Sequence, residues 1–164
     1  MRPAVTLRIP EASEIAALAK LWFDGWQDAH AAVMPAALTR LRTQESFVER
    51  LPAMLAQTRV AGDPGAPLGF CTLKHDELDQ LFVAPAARGT GLAAALVADA
   101  ERRLAAHGVA TGWLACAIGN HRAARFYEKC GWHLAGTVAH RLETTEGPFD
   151  LEIWRYEKQL LPAS

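Results

Sequence analysis

With 164 residues, of which 51% are hydrophobic, the chain is typical of one folded domain, which we expect to span residues 1–164. Its 17 basic and 18 acidic residues give a formal net charge of −1, so composition supplies no electrostatic reason to bind nucleic acid or an anionic membrane. The first ten residues lack the apolar region of a signal peptide and no stretch is long enough to span a membrane, so we expect a cytoplasmic protein.

The first half of the sequence predicts a short strand, two helical regions and a β-hairpin. Residues 5–8 are typical of a strand, and the apolar residues after Pro10 recur with helical spacing: Ile15, Leu18, Ala19, Trp22 and Trp26. Residues 34–57 are again helical in pattern, but Pro35 and Pro52 should interrupt the helix. The strands Thr58–Ala61 and 68–75 flank turn-forming residues at 62–65, which predicts the hairpin.

The second half alternates strands and helices before it ends in two strands. Glu77–Val83 is a predicted strand, and a loop with glycines leads from it into a helix that Gly108 closes. A strand at 113–118 precedes a helix that Asn120 caps and that runs to about Lys129, and the last strands are 134–140 and 149–156. This order predicts an α+β fold, a mixed sheet with helices on its faces.

The loop between the strand Glu77–Val83 and the following helix is typical of a phosphate site. Gly89 and Gly91 allow backbone amides to approach a diphosphate closely, and the helix N-terminus that follows favours negative charge. Arg88 adds a cation. The loop alone is weak evidence, because a tight turn without a ligand has the same features.

The same glycines also fit the pattern G-x-G-x-x-A of a dinucleotide-binding Rossmann fold. Four residues separate this strand from Arg88-Gly89, whereas a Rossmann unit places its glycines directly after the strand, and the next strand ends in Gly119-Asn120 without an acidic ribose ligand. A Walker loop is excluded because no Lys-Ser or Lys-Thr follows the second glycine. We therefore set both nucleotide-binding interpretations aside.

A second motif, residues 120–132, places an asparagine at a helix start, the pair Phe126-Tyr127 two turns later and Gly131-Trp132 at the end. Together with Arg88-Gly89-Thr90-Gly91-Leu92-Ala93, about 30 residues earlier, this motif resembles the GNAT superfamily of N-acetyltransferases. The resemblance extends over nearly the whole chain. It implies a central, mostly antiparallel mixed sheet of about seven strands with helices on both faces.

The resemblance also implies acetyl-CoA as cofactor and the transfer of its acetyl group to a primary amine in a ternary complex. The pantetheine arm would lie between the strands Glu77–Val83 and 113–118. The implied cofactor-binding residues are Leu81, Phe82 and Val83 for pantetheine, Arg88, Gly89, Thr90, Gly91, Leu92 and Ala93 for the pyrophosphate, and Asn120 further along the arm. Relatives further suggest a homodimer formed through the last strands.

Acylation of an amine requires a base, a proton for the departing thiolate and a donor to the oxyanion. Tyr127 occupies the family's general-acid position, although a core aromatic is the alternative. Glu77 is the hypothetical base, and a water relay that ends at Glu77 or His75 is equally compatible with the sequence. Some relatives carry a carboxylate in the strand before Asn120, where this chain has alanine, cysteine and alanine.

The acceptor is open between a small-molecule amine and a peptide or protein amine. Trp26 and His30, one turn apart, could help to form its pocket, although Trp26 also fits a core stripe. The histidines lack metal-ligand spacing, so no metal site is expected. A non-catalytic acyl-CoA-binding module is the alternative from another functional class, and Tyr127 argues against it.

Overall fold

The computed structural model describes residues 5–162, which form five α-helices and six β-strands. The helices are α1 (Ile15–His30), α2 (Ala36–Leu41), α3 (Gln44–Arg50), α4 (Leu92–Ala106) and α5 (His121–Lys129). The strands are β1 (Thr58–Ala61), β2 (Gly69–Lys74), β3 (Glu77–Val83), β4 (Thr111–Cys116), β5 (His133–Leu142) and β6 (Phe149–Gln159). Within 5–162, no helix combines the length and the apolar character that a membrane span requires.

The predicted first helix is confirmed, and it begins as a 3-10 turn at Ala12–Glu14 before α1. The Glu11 and Glu14 side chains form a reciprocal capping box that satisfies backbone N–H groups at this end. Glu14 is buried and accepts two hydrogen bonds of 2.7 Å from the Arg8 guanidinium. This paired contact fixes the start of α1, whose apolar face then packs inward.

The strand predicted at 5–8 is wrong for the residues that the structure describes. Arg8 alone forms an isolated antiparallel bridge to Val60 of β1. Pro10 has no N–H to continue a ladder, and the chain turns into the 3-10 segment two residues later. The sheet within 5–162 therefore has six strands and one bridge where about seven strands were expected.

The predicted interruption of residues 34–57 at the two prolines is confirmed. Pro35 is the N-cap of α2, and Pro52 lies in a 3-10 turn after α3. Between the two helices Thr43 caps α3 by accepting a hydrogen bond from the Ser46 amide. The segment is thus bent around the side of the molecule that α1 covers.

The strands form one sheet in the order β1-β2-β3-β4-β6-β5. All neighbouring pairs are antiparallel except β3 and β4, which α4 connects as parallel neighbours. The expected mixed and mostly antiparallel α+β sheet is confirmed. The single parallel pair lies at its centre, where the chain crosses from one half of the sheet to the other.

Helices cover both faces of the sheet, as predicted, and each face has its own apolar core. α4 and α5 pack over one face with Leu96, Leu104, Leu114 and Trp132 among the buried residues. On the other face α1 and α3 bury Trp22, Phe47, Phe70 and Phe82. Gly25 permits α1 to approach β3 closely, because a Cβ atom at this position would lie 2.5 Å from Phe82 Cδ1.

Candidate active site

The central strands β3 and β4 are held together at one end and separate along the rest of their length. Their only registered pair within 5–162 is Glu77 with Trp113. The Trp113 amide donates to Asp76 O at 3.2 Å, and its indole N–H donates to Asp76 Oδ1 at 2.9 Å. Beyond this point the β4-facing edge of β3 has no strand partner, so its backbone groups remain available to a ligand.

A cavity of about 500 Å³ fills the space where the two strands separate. Ten of the predicted site residues line it, and they come from β3, the glycine loop, α4 and the second motif: Leu81, Phe82, Val83, Arg88, Gly89, Gly91, Leu92, Ala93, Asn120 and Tyr127. Two other predicted residues do not line it. Thr90 donates its hydroxyl hydrogen bond to Ala87 O, and Glu77 lines a different cavity.

The glycine loop has the backbone conformation of an anion cradle. Gly89 and Gly91 have φ values of 77° and 87°, in the left-handed region that favours glycine. Gly91 is the N-cap of α4, and the first helical hydrogen bond runs from the Ala95 amide to Gly91 O. The amides before Ala95 consequently lack intrahelical acceptors at the positive end of the helix dipole. This end of the cavity is therefore suited to an anionic group.

Arg88, the cationic residue of the glycine loop, forms an ion pair with Asp28 of α1. An Arg88 Nη2 hydrogen bond of 2.6 Å reaches Asp28 Oδ2, and Arg122 Nη2 lies 3.5 Å from the same oxygen. The two arginines hold the pKa of Asp28 below its usual value, chiefly through the Arg88 hydrogen bond. Arg88 is thus already paired with an acidic side chain. Asp24, one turn earlier, instead pairs with Lys20.

The second motif contributes a cap and a phenol to the cavity. Asn120 Oδ1 accepts a hydrogen bond from the Ala123 amide and starts α5, as predicted. The Tyr127 hydroxyl makes no hydrogen bond to another residue within 5–162, although the residue lines the cavity. Burial raises the pKa of Tyr127 and keeps the phenol protonated. The other tyrosine, Tyr156, is buried and donates its hydroxyl to Glu128 at 3.0 Å.

A bulge in β3 directs three polar residues toward a second cavity. Thr72 pairs with Gln80 and Leu73 with Leu78, so Asp79 is the extra residue in β3. Glu77, Asp79 and Gln80 consequently all line a smaller cavity of about 140 Å³ on the side of the sheet that α1 and α3 cover. We refer to it below as the acceptor cavity and to the larger one as the cofactor cavity.

Glu77 has the surroundings of a general base in this second cavity. Only 7% of the residue is exposed. Burial, followed by repulsion from Asp79, raises the Glu77 pKa to about 8. A carboxylate with a pKa near working pH can accept a proton and release it again. His75, the alternative end of a water relay, lines neither of the two cavities.

The two cavities meet at a common wall. Five residues line both of them: His30, Asp79, Gln80, Ala115 and Ala117. The alanines stand in β4 or just after it, where some relatives carry a carboxylate, and they contribute only small side chains to the common wall. Burial lowers the His30 pKa to about 4, so this wall residue is neutral at pH 7.

The sequence did not point to several residues of the acceptor cavity. Trp26 and His30 do line it, as the sequence left open. Arg42 and Arg50 also line it, and neither was a candidate. Their helical spacing could have indicated that they face inward. Arg42 follows the apolar Leu38 by one turn, and Arg50 follows the apolar Phe47 by three residues.

Comparison with known proteins gives consistent results over most of the chain. A family model described as acetyltransferase (GNAT) family matches residues 15–132. Uncharacterized N-acetyltransferases of Mycobacterium bovis and Mycobacterium tuberculosis are 32% identical over 117 residues, which is 68% of this chain and 72% of the relative.

Solved structures share the fold at lower sequence identity. The PaiA N-acetyltransferase of Thermoplasma acidophilum, in complex with coenzyme A, has a TM-score of 0.72 at 16% identity, over 96% of this chain and 99% of that one. The YncA protein of Salmonella typhimurium, solved with its cofactor acetyl-CoA, has a TM-score of 0.69 at 14% identity, over 99% and 97% of the two chains.

Proposed function

The chain belongs to the GNAT family of acetyltransferases and uses acetyl-CoA as co-substrate, and we propose that it acetylates a primary amine by direct attack in a ternary complex. The observation that carries the proposal is the common wall of the two cavities. A cofactor in the larger cavity and an amine in the smaller one would meet there, between Gln80 of β3 and Ala115 of β4. Holding both reactants at one place is itself a large part of catalysis.

The cofactor cavity offers each part of acetyl-CoA a suitable partner. The open edge of β3 at Leu81, Phe82 and Val83 would pair with the amides of the pantetheine arm as a neighbouring strand does. The segment that holds the diphosphate consists of Arg88, Gly89, Thr90, Gly91, Leu92 and Ala93. The Asn120 side-chain amide nitrogen, which makes no hydrogen bond within 5–162, can donate to the arm.

Acetyl-CoA supplies an activated acyl group, so that a C–N bond forms to the amine as the thioester C–S bond breaks and the sulfur leaves as a thiolate. Glu77 would remove the proton that the amine must lose. Its pKa of about 8 suits this task because about a tenth of the carboxyl groups are ionised at pH 7. Glu77 lines the acceptor cavity, from which the amine would arrive.

Tyr127 would supply the proton that the departing thiolate takes up. Its hydroxyl has no other hydrogen-bond partner within 5–162, and a phenol carries its proton at neutral pH. The developing negative charge of the carbonyl oxygen would be met by a backbone amide of β3 near Phe82 or Val83. A non-catalytic CoA-binding module is less favoured, because binding of CoA alone requires neither a second cavity nor a buried carboxyl group with a raised pKa.

The test is release of free CoA thiol from acetyl-CoA in the presence of a panel of small amines, amino acids and peptides. We expect amine-dependent release, an acetylated product by mass spectrometry and intersecting lines in initial-rate plots. Parallel lines would indicate a covalent acyl-enzyme and contradict direct attack. Tight binding of acetyl-CoA with no release for any amine would support the binding module instead.

A further inference from the structure

Two arginines of the acceptor cavity lack a carboxylate partner. Arg42, just after α2, is 4% exposed, and its Nη1 donates to Glu143 O at 2.6 Å. Arg50, the last residue of α3, places its guanidinium 4.7 Å from the centre of the Trp22 ring. Neither guanidinium lies within 4.0 Å of a carboxylate oxygen among residues 5–162. Both line the acceptor cavity, and neither lines the cofactor cavity.

A buried cation without a counter-ion is costly, so its presence requires a reason. Burial, followed by repulsion from Arg50, lowers the pKa of Arg42 to about 10. Burial also lowers the pKa of Arg50, and the carboxylates of Asp79 and Glu143 only partly offset that effect. The planar Trp22 ring supports one face of Arg50 and leaves its N–H donors free to bind at the edge.

The charges of the cavity wall favour an anionic ligand. Its cationic side chains are Arg42, Arg50, Lys74 and Arg141, and its acidic ones are Glu77, Asp79 and Glu143. Because the pKa of Glu77 is about 8, that carboxyl is mostly protonated at pH 7. Arg141 is paired with Asp150 at 3.1 Å, so three cations that are unpaired within 5–162 face two carboxylates. His30 and His140, whose pKa values burial lowers, add no positive charge that would change this balance.

We infer that Arg42 and Arg50 bind a carboxylate of the acceptor, and that the acceptor is a small amine carrying a carboxylate group, as an amino acid does. This inference rests on the proposed function and deepens it. Guanidinium groups present paired N–H donors that match a carboxylate, and the bond between Arg42 and Glu143 leaves the other donors of Arg42 for a ligand. The ligand would replace the missing counter-ion.

The size and layout of the cavity agree with this class of acceptor. A volume of about 140 Å³ corresponds to about five water molecules, which suits a molecule of the size of an amino acid. The carboxylate at Arg42 and Arg50 would place the amine toward Gln80, at the wall shared with the cofactor cavity. Glu77, the proposed base, lines the same cavity.

The experiment compares acceptors that differ only in the carboxylate. For each of several amino acids, kcat/KM for CoA thiol release is measured beside its carboxamide and its decarboxylated amine; alanine, alaninamide and ethylamine form one such set. The free acid should be preferred by about 10- to 100-fold, since hydrogen bonds to a charged group are worth about 1.5–3 kcal/mol. Amines without a carboxylate that react as well as the acids, or amidated peptides that react better, would overturn the inference.

Variants then assign the preference to these residues. Arg50→Gln should remove most of the preference for the acid over the amide and leave the KM for acetyl-CoA unchanged. Arg42→Gln should do the same, and Tm measurements show whether each variant is folded. Arg40→Gln is the matched control, because Arg40 stands two residues from Arg42 in the same segment, is 69% exposed and pairs with Glu146 at 3.7 Å. A preference that survives in both cavity variants would contradict the assignment.

Failure of the proposed function remains distinguishable from failure of this inference. If no amine releases CoA, the transferase proposal fails. Tm shifts on addition of ligand then test by themselves whether the cavity binds a carboxylate. An amino acid that raises the Tm of the wild-type protein more than its amide does, with the difference lost in Arg50→Gln, supports a carboxylate subsite. Equal Tm shifts from acid and amide, or a difference that Arg50→Gln retains, overturn it.

Discussion

Replacement of Glu77 by glutamine should remove the acidic limb of the pH–rate profile. With the pKa of Glu77 at about 8, kcat/KM of the wild-type enzyme should rise about tenfold from pH 7 to well above pH 8. Glutamine keeps the shape of the side chain but cannot accept the proton, so we expect a loss of about 10²- to 10⁴-fold and no remaining limb. The assay is CoA thiol release at saturating acetyl-CoA.

The same substitution should change stability in a way that depends on pH. The folded-state pKa of Glu77 lies above its unfolded value of about 4.5, so ionisation weakens the native state as pH rises from 4.5 to 8. At about 1.4 kcal/mol per pKa unit, the penalty above pH 8 is at most about 5 kcal/mol. Glu77→Gln should therefore be more stable than wild type at pH 8.5 and show little of that gain at pH 4.

Two controls separate Glu77 from its neighbours and from the substrate. Asp79→Asn removes the charge that helps to raise the Glu77 pKa, so the acidic limb should move to lower pH and persist. Acceptors whose amines differ in pKa distinguish titration of Glu77, which stays at one pH, from titration of the amine, which moves. An acidic limb that survives unchanged in Glu77→Gln, or one that Asp79→Asn abolishes, would refute the assignment of the base.

Three further substitutions and one control variant test the cofactor side of the site. Tyr127→Phe should lower kcat by at least about tenfold with nearly unchanged affinity for acetyl-CoA. The control Tyr156→Phe should lose about 1 kcal/mol of stability and little turnover. Equal kcat values for the two variants would contradict the role of Tyr127 as the acid. Asp28→Asn frees Arg88 and should tighten CoA binding up to about fivefold in low salt, measured by calorimetry, with no gain at high salt. Gly91→Ala forces a residue with a side chain into a left-handed conformation with φ of 87°, so it should lower the free energy of unfolding by about 1–2 kcal/mol and raise the KM for acetyl-CoA. An unchanged KM would place the loop outside the cofactor site.

Local chemistry in the sequence was sufficient to predict most elements. Proline, glycine and capping residues act within a few positions of the chain, and so the breaks at Pro35 and Pro52 and the start of α5 at Asn120 were predicted correctly. The glycine loop could likewise be located, because a left-handed turn before a helix depends on residue type. The resemblance to the GNAT family, carried by two local motifs, led to the correct fold and cofactor.

Only the tertiary structure brought together the acceptor side of the site. Arg42 and Arg50 are remote from Glu77 in sequence, and a helical pattern does not state which neighbour a charged side chain faces. The extra residue in β3 likewise depends on its pairing with β2, since a bulge exists only relative to a partner strand. The missing first strand has a similar cause, because a strand of four residues forms only if a partner edge and continued backbone donors are present.

The amino-acid sequence by itself determined the α+β class, the glycine loop and the positions of Tyr127 and Asn120, because these depend on short-range geometry and residue type. The tertiary structure decided how far β3 and β4 separate, the pKa of Glu77 and the common wall of the two cavities. Those properties arise from burial and from distances between segments far apart in the chain, and no local pattern contains them.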